Sequence, residues 1–262
     1  MRYDVHTHAW PEAIAGKVLT QLNTHYGIEP KGTGTVDDLL ARAARAGLDR
    51  IVAHCAATAA AQVIPANNWA MDLQRQHPEI LAFGTLHPDF ADWEAELYRL
   101  KAAGIRGLKF HPEFQGFWLD APGLLPIMEA AVPDFVFMFH VGDRPLPAEN
   151  PSCPFKVAAL AKRFPKARII AAHLGGYLHW EWVMETLVGR DVYLDTSSTL
   201  AFIGQDLLER IFHGHPRERL LFGSDYPLFD PGEEMGHLQR RLGLTDREVE
   251  ALQENAAALF EV

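Results

Sequence analysis

The chain has 262 residues, of which 48% are hydrophobic and 22% are charged, and its formal net charge is -10. These proportions are those of a globular protein with a sizeable core, and the length suits a (β/α)8 barrel, which typically needs about 250 residues. The negative charge argues against nucleic acid and against an anionic membrane surface as the main partner, so we expect a small-molecule substrate.

Short β-rich segments alternate along the chain with amphipathic helical patterns, most of which end at glycine or run into proline. The strand-like segments are YDVHT, RIVAHCA, ILAFGTLHP, IRGLKFHP, FVFMFHVGD, ARIIAAHLGG, DVYLDTSS and RLLFGSDYP. The segment after the first strand, PEAIAGKVLTQLNTHYGIEPKGTG, is interpreted as a specificity loop. The alternation predicts an α/β fold, a (β/α)8 TIM barrel forming a single domain over residues 1–262, with an open doubly wound sheet as the alternative.

Ionisable residues stand at the C-terminal ends of several of these strands. They are His6 and His8 in the first, Lys109 and His111 in the fourth, His140 in the fifth, His173 in the sixth and Asp225 in the eighth. In a barrel these ends meet at one mouth, where active sites are built, whereas an open sheet would spread them along a line. Their placement therefore favours the barrel.

The residue types at this mouth suit a divalent metal. Alternate side chains of a strand point to one face, so His6 and His8 present two imidazoles together. A lone histidine such as His140 or His173 is more often a buried core residue. Burying the carboxylate of Asp225, however, is costly unless it is paired or coordinates a metal. The joint set of nitrogen and oxygen ligands predicts zinc, with manganese, iron and cobalt also compatible.

The His-x-His pair and the motifs FHVGD, AHLGG and FGSDYP resemble the signatures of the amidohydrolase superfamily, over the stretch from His6 to Pro227. The resemblance is to the branch that contains aminocarboxymuconate-semialdehyde decarboxylase and aromatic-acid decarboxylases. It implies a distorted metal-bearing barrel, with the metal held by His6, His8, His140 and Asp225 and with His173 beside the metal-bound water.

The number of metal ions per chain, one or two, depends on the role of Lys109. Its position resembles that of the carboxylated lysine in two-metal members of the superfamily, in which case Lys109, His140 and His173 would serve a second metal. The alternative is a cationic Lys109 that binds a substrate carboxylate, since lysine is seldom buried without a partner.

The favoured function is a metal-dependent hydrolase that uses an activated water on a carboxylic ester, lactone or amide. Asp225 would orient or deprotonate the water, and His173 would hydrogen-bond it. The alternative is a metal-dependent non-oxidative decarboxylase, a lyase, which needs cationic groups near the metal. A protein that only sequesters metal or ligand is disfavoured, because simple binding needs no proton carrier.

Further candidate site residues lie in the loops that follow the strands. Substrate contacts are expected from Lys109, His111 and Arg144, and an aromatic wall from Trp10, Phe114, Phe117 and Trp118. His54 and His87 also stand at strand ends, where each either lines the barrel mouth or is buried in the core. The final pattern, DREVEALQENAAALF, predicts a helix with Thr245 as N-cap and Glu248 as its capping-box partner.

The two cysteines, Cys55 and Cys153, are too few for a disulfide framework. Cys55 is interpreted as a small buried hydrophobe. No leader-like or bilayer-spanning run is visible, so we expect a cytoplasmic protein. The sequence does not determine the oligomeric state, for which a homodimer, the commonest closed assembly, is one candidate.

Overall fold

The structure is a computed structural model that describes residues 1–54, 56–132 and 134–260. Its strands are all parallel to their neighbours. They are β1 (Tyr3–Thr7), β2 (Arg50–His54), β3 (Ile80–Phe83), β4 (Gly107–Phe110), β5 (Val136–Phe139), β6 (Arg168–Ala171), β7 (Tyr193–Asp195) and β8 (Leu220–Leu221). Each lies within a segment that the sequence predicts as a strand. Cys55 falls outside the described residues.

The strands form one sheet of three, β1 to β3, and one of five, β4 to β8. Gly84 joins the two sheets, because its amide donates to Gly107 O (2.9 Å) and its carbonyl accepts from Lys109 N (2.8 Å). On the other side Val5 N donates to Phe222 O (2.9 Å), which brings β1 against β8. The strands thus close into the predicted barrel, distorted where these junctions replace a continuous ladder.

Helices surround the barrel, most of them on its outside. They are α1 (Glu12–Tyr26), α2 (Val36–Arg45), α3 (Val63–Gln76), α4 (Trp93–Ala102), α5 (Pro112–Gln115), α6 (Leu124–Ala131), α7 (Pro154–Arg163), α8 (Trp180–Thr186), α9 (Gln205–Gly214), α10 (Pro231–Leu242), α11 (Asp246–Glu254) and α12 (Ala257–Phe260). Among these described residues, no helix is long and apolar enough to cross a membrane.

Two helices correct the sequence interpretation. The segment after β1 is largely helical, as α1, rather than a loop. Within the described part of the chain, no side chain caps the start of α1, so the usual start signal is absent, and Gly16 lies inside the helix. The helix α10 was also missed, although Asp230 caps it and Pro231 occupies its first turn. The predicted capping box of Thr245 and Glu248 is confirmed at the start of α11.

Strand alternation separates the core from the site. On β5, Phe137 and Phe139 pack outward under the helices, whereas Val136 and Met138 point into the barrel with other apolar side chains. The next residue on that inward face is His140, which lies beyond the apolar layer. The lower barrel is therefore filled by packing, and polar groups begin at its C-terminal end.

Candidate active site

A cavity of about 780 Å³ opens at the C-terminal ends of the strands. Its floor is formed by six of the predicted site residues, and walls and roof come from aromatic residues and from α1. The floor residues are His6, His8, Lys109, His140, His173 and Asp225. The barrel thus brings to one place the ionisable residues that the sequence distributes over five strands.

His6, His8 and Asp225 form one side of the floor. Asp225 Oδ1 lies 3.4 Å from His6 Nε2 and 3.3 Å from His8 Nε2. Two ligand atoms on one zinc ion, each bonded at about 2.1 Å, are about 3.4 Å apart in tetrahedral geometry. The spacing of Asp225 from each histidine is therefore that of ligands on a shared ion.

In His6 and His8, the hydrogen bond made by Nδ1 determines that Nε2 faces the site. His6 Nδ1 donates to Asp195 Oδ2 (3.1 Å) and His8 Nδ1 donates to the carbonyl of His54 (2.8 Å). In the neutral rings this leaves both Nε2 atoms without hydrogen, facing a carboxylate oxygen. Three lone-pair groups that face one another repel unless a cation lies between them, so the donor set fits a divalent metal.

His140 and His173 repeat this arrangement on the other side of the floor. His140 Nε2 donates to the carbonyl of Gly142 (3.1 Å), and His173 Nδ1 donates to the carbonyl of Ser197 (3.1 Å). The remaining nitrogens, His140 Nδ1 and His173 Nε2, are 2.9 Å apart. Burial lowers the pKa of both imidazoles, which favours the neutral rings and hence free lone pairs for a metal.

Asp195, at the end of β7, is a site residue that the sequence analysis did not single out. Its carboxylate accepts from His6 Nδ1 and from the Ser197 hydroxyl. Burial raises the pKa of Asp195, but the contacts with His6, His173 and Ser197 together outweigh this effect and hold the pKa at about 2. An ionised carboxylate behind a metal-facing histidine fixes its tautomer and raises its basicity. Its position at a strand end was the signal available in the sequence.

Lys109 is the buried cation of the floor. Its Nζ lies 3.4 Å from His6 Nε2, and the side chain is 1% exposed. Burial lowers the pKa of Lys109 to about 8, although the nearby carboxylates of Asp195 and Asp225 favour the charged form. The ammonium is thus positioned for an anionic group on the floor.

Two further clusters flank the floor. His54 lies with its ring centroid 4.7 Å from that of His6 and 4.6 Å from that of His8, and within the described part of the chain its ring nitrogens have no hydrogen-bond partner. His111 and Glu113 group with His140, with Glu113 Oε2 3.7 Å from His140 Nε2. Both clusters offer metal-type atoms within reach of one another, and His111 also lines the cavity.

The predicted aromatic wall is only partly at the cavity. Trp10 and Phe114 line it, and Trp10 stacks on the ring of His8. Phe117 is instead buried against Phe110, and Trp118 is 43% exposed beneath Lys156. Tyr26 and Tyr177, neither of which was predicted, line the cavity too.

Arg144 and His87 also lie outside the lining that the described residues form. The guanidinium of Arg144 donates to the carbonyl of Tyr26 (3.0 Å), so it holds the end of α1. His87 Nε2 donates to Gln115 O (2.8 Å), which is a core role. Neither contact directs the side chain at the floor.

The backbone is strained at the floor. His173 (φ 62°), Ser198 (φ 45°) and Asp225 (φ 64°) adopt the left-handed region that side chains other than glycine rarely occupy. Such residues cost about 1–3 kcal/mol each and cluster at functional sites. The hydrogen bond from Asp225 N to His6 O (2.8 Å) and that from the Ser198 hydroxyl to the Asp225 carboxylate hold this geometry.

A family model described as Amidohydrolase matches residues 3–262. The chain belongs to the amidohydrolase family. This confirms the resemblance seen in the motifs of its strand ends. A comparison with curated proteins found no match.

Solved structures share the fold of this amidohydrolase over nearly its whole length. A 2,6-dihydroxybenzoate decarboxylase from Rhizobium is 16% identical, with a TM-score of 0.71 and coverage of 99% of this chain and 98% of that one. A dihydroxybenzoic acid decarboxylase from Polaromonas with bound manganese and 2-nitroresorcinol is 15% identical, with a TM-score of 0.70 and coverage of 99% and 96%. An amidohydrolase from Burkholderia multivorans with bound zinc is 16% identical, with a TM-score of 0.74 and coverage of 100% and 99%.

Metal-bound relatives and the histidine and aspartate clusters together support a divalent metal in this amidohydrolase. The solved relatives carry manganese in one case and zinc in another, so the fold accepts more than one ion. Two of these three solved structures are decarboxylases by name.

Proposed function

We propose that this amidohydrolase is a metal-dependent non-oxidative decarboxylase of a small aromatic carboxylic acid. The observation that carries the proposal is the buried ammonium of Lys109, whose Nζ lies 3.4 Å from His6 Nε2 at the base of an aromatic-lined cavity. A cation beside the metal-facing histidines suits a carboxylate better than a neutral ester or amide. The decarboxylases among the structural relatives support this alternative over the hydrolase that the motifs first suggest.

The metal would be held by His6, His8, His140 and Asp225, and zinc is our first choice, with manganese next. When bound, it supplies a positive charge that orients the carboxylate and stabilises developing negative charge. Retaining a cationic Lys109 favours one metal per chain, because the ammonium then stands where a carboxylated lysine would bridge two ions.

The side chains of the chain itself then have distinct tasks. Lys109 binds the carboxylate at the floor, while Trp10, Tyr26 and Phe114 offer faces for a planar ring. The bond between the ring carbon and the carboxylate breaks, carbon dioxide leaves, and the electron pair stays on that carbon. That carbon takes up a proton that originates in solvent water, and we assign His173 and Asp225, whose lone pairs face the cavity, to accept this proton and pass it to the carbon.

Hydrolysis of an ester, lactone or amide is the second candidate. The likeness to the zinc-bound amidohydrolase from Burkholderia multivorans favours it, together with the lone pairs of His173 and Asp225 on the floor. These groups could orient a water and return its proton to a leaving group. Decarboxylation and hydrolysis thus use the same residues on different substrates.

The deciding experiment incubates the zinc-loaded and manganese-loaded enzyme with a panel of hydroxybenzoates, esters and lactones in deuterium oxide and, separately, in 18O-labelled water. We expect carbon dioxide release and one deuterium on the product ring, without 18O in the organic product. Incorporation of 18O into a new carboxylate, without carbon dioxide, would replace the proposal by the hydrolase. Lys109→Met should abolish turnover, while the exposed Lys17→Met serves as its matched control.

The proposal also includes the substrate class, the cellular location and the assembly. The net charge of -10 supports a small-molecule substrate over nucleic acid or an anionic membrane surface. We further propose a cytoplasmic enzyme, active as a single (β/α)8 domain, with a homodimer as the assembly to test by light scattering.

A further inference from the structure

We propose that the substrate carries an apolar tail opposite its carboxylate, and that the tail binds against α1. This inference rests on the proposed function, since it takes the carboxylate of an aromatic acid to be bound at the floor. The tail site is formed by one face of α1 and by the beginning of α3. Three observations carry it: the spacing of the α1 residues, the size of the cavity and the way α1 is fixed.

The cavity-facing residues of α1 follow helical periodicity. Ile14, Val18, Gln21, Leu22 and His25 all line the cavity, at spacings of three and four that place them on one face. Ala15, on a neighbouring face, is buried. Three apolar side chains of α1 therefore face open space, and Ile14 remains 44% exposed.

The cavity is larger than an aromatic acid needs. A cavity of about 150 Å³ is enough to hold a benzene ring, whereas this one measures about 780 Å³. With a carboxylate at Lys109, the para position of the ring points away from the floor and toward the mouth. The cavity lining includes one face of α1 and the residues Pro65, Ala66 and Trp69 of α3.

That space has apolar surfaces on both sides. Trp69 donates its indole hydrogen to the carbonyl of Ala9 (3.1 Å), so its ring is held in place with its polar atom satisfied. Val18 and Leu22 on α1 and Pro65 and Ala66 on α3 add aliphatic surface. An alkyl or aryl substituent would be removed from water between them, which stabilises binding in proportion to the apolar area buried.

The helix α1 is fixed at its C-terminal end. His25 Nε2 lies 2.9 Å from Asp143 Oδ2, and the guanidinium of Arg144 donates to the carbonyl of Tyr26. The hydroxyl of Tyr26 also lies 3.2 Å from His111 Nε2. Because these contacts tie α1 to the loops after β4 and β5, its apolar face is held at a set distance from the floor, as a tail site requires.

The test compares two acids that lack a hydroxyl group and differ only in the tail, benzoate and 4-pentylbenzoate. Binding to the zinc-loaded enzyme is measured by titration calorimetry, which needs no turnover. Each fully buried methylene is worth about fourfold in affinity, so we expect 4-pentylbenzoate to bind at least tenfold more tightly. Equal affinities would overturn the inference.

Variants assign the gain to α1. Val18→Asp should remove most of the tail-dependent gain, which is taken as the ratio of the benzoate and 4-pentylbenzoate dissociation constants within the same variant. Thr20→Asp places the same charge on the exposed face of the same helix and should retain the gain. If the two variants behave alike, the tail does not bind at α1 and the inference fails; circular dichroism and melting curves verify that both are folded.

Failure of the proposed function gives a different result. An enzyme that prefers 4-pentylbenzoate through Val18 but releases no carbon dioxide from any hydroxybenzoate, with or without an alkyl tail, retains the tail site and loses the decarboxylase assignment. An enzyme that decarboxylates 2,6-dihydroxybenzoate and shows no tail preference in binding retains the assignment and loses the tail site.

Discussion

His140 Nδ1 and His173 Nε2 lie 2.9 Å apart at the cavity floor, while the other nitrogen of each ring donates to a backbone carbonyl. In the neutral rings both facing nitrogens carry lone pairs, of which the proposed metal would take that of His140 and leave that of His173 for proton transfer. The contribution of His140 to metal binding can therefore be measured by replacing that histidine alone.

His140→Asn should lower zinc affinity at least tenfold, because it removes one of the four ligands proposed for the metal. Zinc per chain after dialysis, measured by elemental analysis, checks this expectation. His213→Asn alters an exposed histidine on α9 and serves as the control. Full zinc retention in His140→Asn would remove His140 from the ligand set.

Asp195→Asn should weaken metal binding by about 10- to 100-fold while leaving the fold intact. The amide keeps the shape of the carboxylate but loses the charge that holds the hydrogen on His6 Nδ1. Competition titration against a zinc-binding dye gives the affinity. The exposed Asp206→Asn should match the unaltered protein, and an equal zinc affinity for Asp195→Asn would show that His6 needs no carboxylate behind it.

Lys109→Met should raise the dissociation constant of benzoate by about 10- to 100-fold, since a charge-assisted hydrogen bond contributes about 1.5–3 kcal/mol. Its metal content should stay at about one ion per chain. Elemental analysis in the presence of bicarbonate provides that second measurement. A fall from about two ions to about one on substitution would instead support a carboxylated Lys109 between two metals.

Glu234→Gln should stabilise the protein increasingly as pH rises from 5 to 8. Burial raises the pKa of Glu234 from 4.5 to about 7, so between these values the folded state binds the proton more tightly and the unaltered protein loses stability as pH increases. The difference at pH 8 is at most about 3 kcal/mol. Urea melts at both pH values measure it, with the exposed Glu250→Gln on α11 as control, and a difference that does not grow with pH would contradict the assignment.

The sequence predicted the parts of the site that lie on strands. His6, Lys109 and His140 could be placed at one mouth because strand periodicity and barrel closure together determine where such side chains point. Asp195 meets the same criterion, as the last residue of β7, but a single acid among hydroxyl residues gives no metal-type spacing. Its role depends on His6, 189 positions away, and becomes visible only in the folded barrel.

Loop residues were harder to place, because their directions are set by contacts far along the chain. Trp118 lies beneath Lys156 and Arg144 turns to the carbonyl of Tyr26, and neither partner is indicated by local sequence. The helix α1 was missed for a related reason. Its apolar face meets a cavity rather than a packed core, so the usual pattern of a surface helix is weak.

The junction of β1 with β8 has a consequence for protein synthesis. His6 stands in the first strand and Asp225 follows the last, and the amide of Asp225 donates to the carbonyl of His6. A nascent chain on the ribosome exposes His6 and His8 long before the carboxylate that completes their site has been translated. Choice among competing metal ions in the cell is therefore expected to fall to the finished polypeptide, after its two ends have met.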